Sequence, residues 1–170
     1  MSGTGEPTVV AIVGDTHLPR GARRLPDACV EHLRAADLVV HVGDFSTAAV
    51  HDEIAGIATR LVAVHGNVDD AALRAGLPER TTVEVAGARL GVIHDAGAAR
   101  GRLARMRRAF SAVDAVVFGH SHIPLHERDS DGFQIFNPGS PTERRRSPAH
   151  TMGLATAAGG ELRFRHVQLD

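Results

Sequence analysis

Seven side chains that could bind metal ions stand in five short polar clusters, each directly after an apolar run of the kind that forms a β-strand. The seven are Asp15, His17, Asp44, Asn67, His94, His120 and His122. Carboxylate, amide oxygen and imidazole without a thiolate suit manganese, iron, zinc or nickel, and four imidazoles argue against a calcium or purely magnesium site. Seven donors exceed the four that one tetrahedral ion needs. The set therefore predicts two ions that share a carboxylate.

The spacing within two of the clusters supports this prediction. Asp15 and His17 are two residues apart, and so are His120 and His122, which places each pair on one side of an extended segment and lets it hold a common centre. A single Asp or Asn after a strand is usually a turn or capping residue. The shared position of all the donors is what favours a metal site over that ordinary explanation.

Glycine directly precedes three of the donors. The glycines are Gly43, Gly66 and Gly119. Each could simply make a turn at the end of a strand, or its missing side chain could let the backbone approach the metal or substrate closely. The sequence leaves both explanations open. His41 lies just before one cluster and is expected in the core or behind the donors.

The elements that must position these donors differ between the two halves of the chain. In the first half, apolar runs alternate with helical patterns, which predicts parallel strands with right-handed crossovers. These runs cover 8–13, 38–42 and 61–64. Ser46 and Thr47 are the candidate caps of the second helix. Sites in open α/β sheets form beyond the carboxyl ends of the strands, so the donors are expected to meet at one rim.

In the second half, the pattern predicts antiparallel hairpins around Ala86-Gly87, Asp131-Gly132 and Gly159-Gly160. A helix with the apolar stripe Leu103, Met106 and Phe110 precedes a strand over 115–118. Two sheets packed face to face, with helices outside, satisfy both halves of the chain.

Composition limits the classes of function. The 170 residues are expected to form one domain, 1–170. A net charge of −1, from 19 basic and 20 acidic residues, gives no strong nucleic-acid signature. Cys29 is the only cysteine, which fits a reducing compartment. The apolar run 9–13 is too short to span a bilayer. We therefore expect a cytoplasmic protein that does not use a membrane.

Taken together, the clusters at 15–17, 43–44, 66–69, 94 and 119–122 resemble the calcineurin-like metallophosphoesterase superfamily. The small size and the motif Asn137-Pro138-Gly139-Ser140 are similar to its compact prokaryotic phosphodiesterase branch. The resemblance implies an α/β fold, a four-layer αββα sandwich of two mixed β-sheets flanked by helices.

The resemblance also implies which donors hold which ion. One ion would be held by Asp15, His17, Asp44 and His122, and the other by Asp44, Asn67, His94 and His120, with Asp44 bridging. The cofactors would be two divalent transition metals, with manganese favoured over iron, zinc or nickel. A hydroxide bridging the ions would attack phosphorus in line. Asp44, Asn67 and Asp69 are the candidate catalytic residues, with Asp69 in a supporting role.

One position departs from the superfamily pattern. Many members have a histidine, a general acid for the leaving group, where this chain has Val68. General acid catalysis contributes roughly 10²–10⁴-fold, so its absence favours esters with good leaving groups and predicts a phosphodiester or nucleotide substrate. Asp95 stands where a small residue is common, and its carboxylate would tune the second ion or repel an anionic substrate.

Several alternatives stay open. The same site would suit a phosphomonoesterase or a nucleotide pyrophosphatase. The resemblance extends to the retromer scaffold subunit, which implies a non-catalytic, protein-binding role as another alternative. The run Arg144-Arg145-Arg146 is either a phosphate clamp or a solvated loop. The native metal, the physiological substrate and whether the chain forms a homo-oligomer are not determined by the sequence.

Overall fold

The computed structural model describes residues 5–170, which contain four helices and ten strands. The helices are α1 (Asp27–Ala35), α2 (Ala48–Ile57), α3 (Ala71–Gly76) and α4 (Arg102–Ala109). The strands are β1 (Thr8–Val13), β2 (Leu38–His41), β3 (Leu61–Ala63), β4 (Arg80–Val85), β5 (Ala88–Ile93), β6 (Ala115–Val117), β7 (Leu125–Arg128), β8 (Gln134–Asn137), β9 (Thr151–Ala158) and β10 (Glu161–Gln168). No helix in residues 5–170 is both long and apolar enough to cross a membrane.

The strands form two mixed sheets of five strands each, in the orders β10-β9-β1-β2-β3 and β4-β5-β6-β8-β7. The first sheet has a parallel core of β1, β2 and β3, with the β9–β10 hairpin added antiparallel to β1. The second sheet has a parallel core of β5, β6 and β8, with β4 and β7 antiparallel at its two edges. The three predicted hairpins and the parallel first half are confirmed.

The sheets pack face to face because both faces of their central strands are apolar. Val10 and Ile12 of β1 point into the core between the sheets, where they join Leu90 and Phe136. Ala11 lies on the other face of β1, in a second apolar layer that includes residues of α1, α2 and α3. A third apolar layer joins α4 to the outer face of the second sheet. Burial on both faces explains why these strands are continuous apolar runs, and the predicted αββα sandwich is confirmed.

The cap of α2 differs from the prediction. Thr47 occupies the N-cap position but makes no capping bond with its side chain. The Ala48 N–H donates instead to Asp70 Oδ2 at 2.9 Å. Asp70 also caps its own helix, α3, by accepting from the Leu73 N–H at 2.9 Å. One carboxylate thus joins two helix starts and holds the segment after β3 against the segment after β2.

Candidate metal centre

The seven predicted donors come together at the rim where β1, β2, β3, β5 and β6 end. Asp15, His17 and His122 form one group, and Asp44, His94 and His120 form another, each with its ligand atoms within 4.8 Å of one another. Asn67 joins the second group, because its Oδ1 lies 3.0 Å from His94 Nε2 and 3.1 Å from His120 Nδ1. The residues described therefore contain two adjacent groups that could each hold a metal ion.

Asp44 stands between the two groups. Its Oδ2 lies 3.2 Å from His94 Nε2 and 3.6 Å from His17 Nε2. Ligand atoms about 2.1 Å from one ion are about 3.0–3.4 Å apart at angles of 90–110°. The observed separations are close to that range on both sides of Asp44, so its position fits that of a carboxylate shared by two ions.

Asp15 provides a separate test of whether this site suits a cation. Its Oδ2 accepts the His120 N–H at 2.9 Å, whereas its buried Oδ1 has no hydrogen-bond donor among residues 5–170. Oδ1 faces His122 Nε2 at 3.5 Å and His17 Nε2 at 3.8 Å. A buried carboxylate oxygen without a partner is costly, and a divalent cation between it and the imidazoles would remove that cost. The donor set therefore fits a divalent transition metal.

Backbone carbonyls orient two of the imidazoles. His94 Nδ1 donates to Val42 O at 2.8 Å, and His122 Nδ1 donates to Glu143 O at 2.6 Å. Because a carbonyl can only accept, these bonds place a proton on Nδ1 and turn Nε2 of each ring towards its donor group. This arrangement is typical of histidines that bind metals.

The electrostatics of the metal-free protein couple Asp44 to His94. Burial by itself would raise the pKa of Asp44, but hydrogen bonds from His94 and the Val68 N–H lower that pKa below its usual value. Burial by itself would lower the pKa of His94, but its bond to Asp44 and the charges of Asp15 and Asp44 raise it. Burial lowers the pKa of His122. His122 is therefore neutral at pH 7, which is the form that binds a metal.

Five of the donors have left-handed backbone conformations. The φ angles are 51° at Asp15, 45° at His17, 61° at Asp44, 72° at His120 and 63° at His122. Such angles are uncommon outside glycine and cluster at functional sites. The predicted extended geometry of the two pairs is therefore wrong, and so is the common centre of one pair, because the histidines of the last cluster enter different groups.

The close-approach explanation holds for two of the glycines. A β-carbon on Gly66 would lie 2.7 Å from both Cγ and N of Asp44, and one on Gly119 would lie 2.8 Å from Asp15 Oδ2. Neither glycine has a positive φ, so a turn does not require them. Each leaves room for the carboxylate of a predicted donor. Gly43 combines both explanations, with φ of 97° and a β-carbon position 2.9 Å from His94 Nδ1.

Asp69 lies behind the donors and binds backbone. Its Oδ2 accepts the N–H groups of Asp44 at 3.0 Å and Gly66 at 2.6 Å, and its Oδ1 accepts the Ser46 N–H at 2.9 Å. The carboxylate thus joins the loop after β2 to the loop after β3. Through these contacts Asp69 would act on the site by holding the loop that carries Asp44.

His41 also supports the site from the core, as expected. It is fully buried and stacked on Phe45, with ring centroids 3.5 Å apart. Its Nδ1 accepts the Gly43 N–H at 3.1 Å, so Nε2 carries the proton and donates to Thr16 Oγ1 at 3.2 Å. Thr16 in turn donates to Asp44 O at 3.5 Å. Burial lowers the pKa of His41 well below its usual value, which keeps this ring neutral.

The end of β8 and the segment that follows it bind two of the donor loops, and the sequence did not predict these contacts. Asn137 Nδ2 donates to Gly119 O and to Ser121 Oγ, both at 3.1 Å. Ser140 Oγ donates to Asp15 O at 2.8 Å. The motif Asn137-Pro138-Gly139-Ser140 was the available signal, and its polar residues bind the backbone of two donor loops.

The charged residues near the rim differ in part from those that the sequence singled out. Arg144 Nη1 donates to Ser147 O at 2.7 Å and Arg145 Nη1 to His120 O at 3.3 Å, and Arg146 is exposed like both of them. Asp95 is exposed, and its Oδ1 accepts the Gly97 N–H at 2.8 Å. A carboxylate that is not one of the seven donors, that of Glu143, lies beside the first group instead, with Oε2 3.9 Å from His17 Nε2. No sequence signal pointed to it.

A two-sheet sandwich with two adjacent donor groups on one rim is the arrangement expected of a metal-dependent phosphoesterase. The chain belongs to the calcineurin-like phosphoesterase superfamily, whose domain model matches residues 9–160. A relative described as a probable metallophosphoesterase, from Methanocaldococcus jannaschii, is 33% identical over 144 residues, which are 83% of this chain and 72% of that protein. Another probable metallophosphoesterase, from Methanothermobacter thermautotrophicus, is 29% identical over 150 residues, or 86% of this chain and 84% of that protein.

Solved structures show the same fold at lower identity. Vacuolar Protein Sorting 29 from Cryptosporidium parvum superposes with a TM-score of 0.78 and 19% identity, over 95% of this chain and 97% of that chain. At that identity the likeness concerns the fold alone.

Proposed function

We propose that this chain is a phosphodiesterase that works with two divalent transition metals, with manganese as the first choice. The observation that carries the proposal is the position of Asp44, whose Oδ2 lies within 3.6 Å of a ring nitrogen of each group. The orphaned Oδ1 of Asp15 supports a cation at the same place. Membership of the phosphoesterase family supports phosphorus as the reaction centre.

In this proposal, Asp15, His17, Asp44 and His122 hold one ion, and Asp44, Asn67, His94 and His120 hold the other. The bound ions supply Lewis acidity and a water of lowered pKa. Asn67 Oδ1 faces the second group, which leaves its amide nitrogen to donate to a phosphoryl oxygen. Arg74 donates to the carbonyls of Asn67 and Asp69 and keeps this loop in place.

Val68 supports a diester substrate with a good leaving group. Its side chain is 45% exposed and is the only large hydrophobic residue exposed in residues 5–170. A valine next to Asn67 has no proton to give to a departing oxygen, so the leaving group must be stable as an anion. Aryl and other activated diesters meet that condition, whereas alkyl monoesters do not.

The decisive experiment compares two esters with the same leaving group. Manganese-loaded protein should hydrolyse bis(p-nitrophenyl) phosphate faster than p-nitrophenyl phosphate, with about two manganese ions bound per chain. Asp44→Asn should lower kcat/KM by about 10²–10³-fold. Equal or reversed rates would favour the monoesterase or nucleotide pyrophosphatase alternative. Metal binding without turnover of either ester would favour a protein-binding scaffold, for which the likeness to Vacuolar Protein Sorting 29 is support at the level of fold.

The proposal also covers the setting of the enzyme. We place its activity in the cytoplasm and propose that residues 1–170 form one domain.

Cys29 is buried, and burial raises the pKa of its thiol to about 12. This cysteine is therefore unreactive, and the proposed reaction depends on the metal centre alone.

A further inference from the structure

A carboxylate is held beside the first donor group by the main chain around it. Glu143 Oε2 lies 3.9 Å from His17 Nε2, and the side chain is 26% exposed. The Glu143 N–H donates to Ser140 Oγ at 2.9 Å, and the Glu143 carbonyl accepts from His122 Nδ1 at 2.6 Å. The backbone of Glu143 is therefore bound at its N–H and at its carbonyl by residues of the site. These contacts keep the carboxylate at the rim.

Two arginines partly balance this charge. Arg20 Nη1 lies 3.2 Å from Glu143 Oε1, and Arg23 Nη1 lies 3.6 Å from Oε2. Both belong to the loop after β1 that also carries His17. Arg20 is 67% exposed, so water screens its contribution. Arg23 Nη1 is buried but has no hydrogen-bond acceptor among residues 5–170. Each arginine thus offsets part of the Glu143 charge, Arg20 weakened by water and Arg23 without a hydrogen bond to the carboxylate.

We propose that Glu143 is a specificity-determining residue that favours monoanionic phosphodiesters over dianionic phosphomonoesters. This inference rests on the phosphoesterase function proposed above. A phosphoryl group bound at the first donor group brings its oxygens close to His17 and therefore close to the Glu143 carboxylate. A monoester carries almost two negative charges above its second pKa of about 6, whereas a diester carries one. Repulsion between like charges a few ångströms apart is strong at a protein surface, and it is larger for the dianion.

The arginines strengthen this discrimination. Guanidinium groups bind phosphate oxygens in a bidentate manner, so Arg20 and Arg23 would be good partners for a terminal phosphate. In the structure Glu143 lies near both of them: it accepts a hydrogen bond from Arg20 and lies 3.6 Å from Arg23 Nη1. Loss of its charge would both relieve repulsion and release two cations for the extra charge of a monoester.

Ligand binding tests this inference without turnover. The probes are inorganic phosphate, mainly a dianion at pH 8, and dimethyl phosphate, a monoanion, titrated calorimetrically into manganese-loaded protein. Glu143→Gln should tighten phosphate binding by about tenfold, because it removes the repulsion of one partly screened charge. The same variant should tighten dimethyl phosphate binding by less than about threefold. Arg20→Gln changes a side chain that is 67% exposed, and it should weaken the binding of phosphate more than the binding of dimethyl phosphate. Equal effects on the two probes, or none, would overturn the inference.

Ester hydrolysis separates this inference from the proposed function. Protein that shows the charge-dependent binding but cleaves neither p-nitrophenyl ester would refute the enzymatic proposal and leave the role of Glu143 in anion selection standing. Protein that cleaves the diester, but whose ratio of monoester to diester hydrolysis is unchanged in Glu143→Gln, would support the enzymatic proposal and refute the role of Glu143.

Discussion

The Asp44 carboxylate occupies the space that a side chain at Gly66 would need. A β-carbon there would lie 2.7 Å from Asp44 Cγ, well inside van der Waals contact. Gly66 has no positive φ, so alanine would suit its backbone. The conflict therefore lies with Asp44, at its carboxylate and at its backbone nitrogen, and it provides a way to displace the carboxylate without changing its chemistry.

Gly66→Ala should lower bound manganese from about two ions per chain to about one or fewer and reduce diesterase activity by at least about 10²-fold. The melting temperature of the metal-free protein should also fall by several degrees, because the Asp44 backbone must shift with the carboxylate. The matched control is Gly56→Ala, because an added β-carbon at this position in α2 meets nothing within 4 Å. The control should keep its metal and gain about 0.5–1 kcal/mol of stability. Full metal content and activity in Gly66→Ala would contradict the shared role of Asp44.

Asp69→Asn should weaken both the fold and the metal centre. The variant loses charge-assisted bonds to backbone N–H groups, so the free energy of unfolding should fall by about 2–3 kcal/mol and the melting temperature by about 5–10 °C. Manganese affinity should fall by about 10–100-fold. Calorimetry with and without manganese measures both effects.

The neighbouring carboxylate provides the control for that experiment. Asp70 caps α3 and binds the start of α2, and asparagine caps helices about as well as aspartate. Asp70→Asn keeps one acceptor oxygen for the cap of α3, so it should destabilise the protein less than Asp69→Asn and leave manganese affinity unchanged. A similar loss of metal in both variants would mean that general destabilisation, and not the support of Asp44, explains the result.

Val68→His should restore a proton donor at the rim. Hydrolysis of esters with alkyl leaving groups should rise by up to about 10²-fold, while p-nitrophenyl esters, which need no donor, should change little. Steady-state rates on both kinds of ester measure the difference. Val68→Ala removes the same side chain without adding a donor, so an equal gain in that variant would indicate better access to the site rather than proton transfer.

Metal binding should depend on pH through His94. In the metal-free protein its pKa is raised above the ordinary 6.5 by Asp44 and Asp15 despite burial, and a metal binds only the neutral ring. The proton therefore competes with the metal, and manganese affinity should fall as pH drops through that raised pKa. Titration calorimetry in two buffers with different heats of ionisation should detect proton release on manganese binding near pH 6.5. That release should be smaller in His94→Gln, and an unchanged release there would exclude His94 as a source.

Much of the fold could be predicted because burial leaves a clear pattern. The runs around Val10, Val39 and Val116 are apolar on both faces, so they indicated central strands, and glycine pairs such as Gly159-Gly160 marked the hairpins. The donors could be predicted as a set because carboxylates and imidazoles after strands are hard to explain by packing. What failed was local geometry. The left-handed backbone at Asp15 and the cap that Asp70 gives to α2 depend on contacts across the fold, which no short window of sequence contains.

The position of Glu143 shows the same limit at the site itself. Its partners, His17 and Arg20, are more than 100 residues away in the chain, and a single glutamate before a run of arginines has no distinguishing pattern. Only the segment that follows β8 brings Glu143 to the rim. Charges that modify a site without binding its metal are therefore the part that sequence alone identifies least well.

The left-handed backbone at five donors has a consequence for the history of such a protein. A left-handed conformation costs roughly 1–2 kcal/mol for most residues, and although Asp and His tolerate it better than most, glycine adopts it freely. Where selection for catalysis is relaxed, glycine at Asp15, His17 or His122 would remove this cost, and glycine at Asp15 would also remove an unpaired buried carboxylate oxygen. Such substitutions would persist because they stabilise the chain. A protein with this fold would thus lose its metal site through substitutions that stabilise it. The fold would remain as a scaffold without catalytic activity.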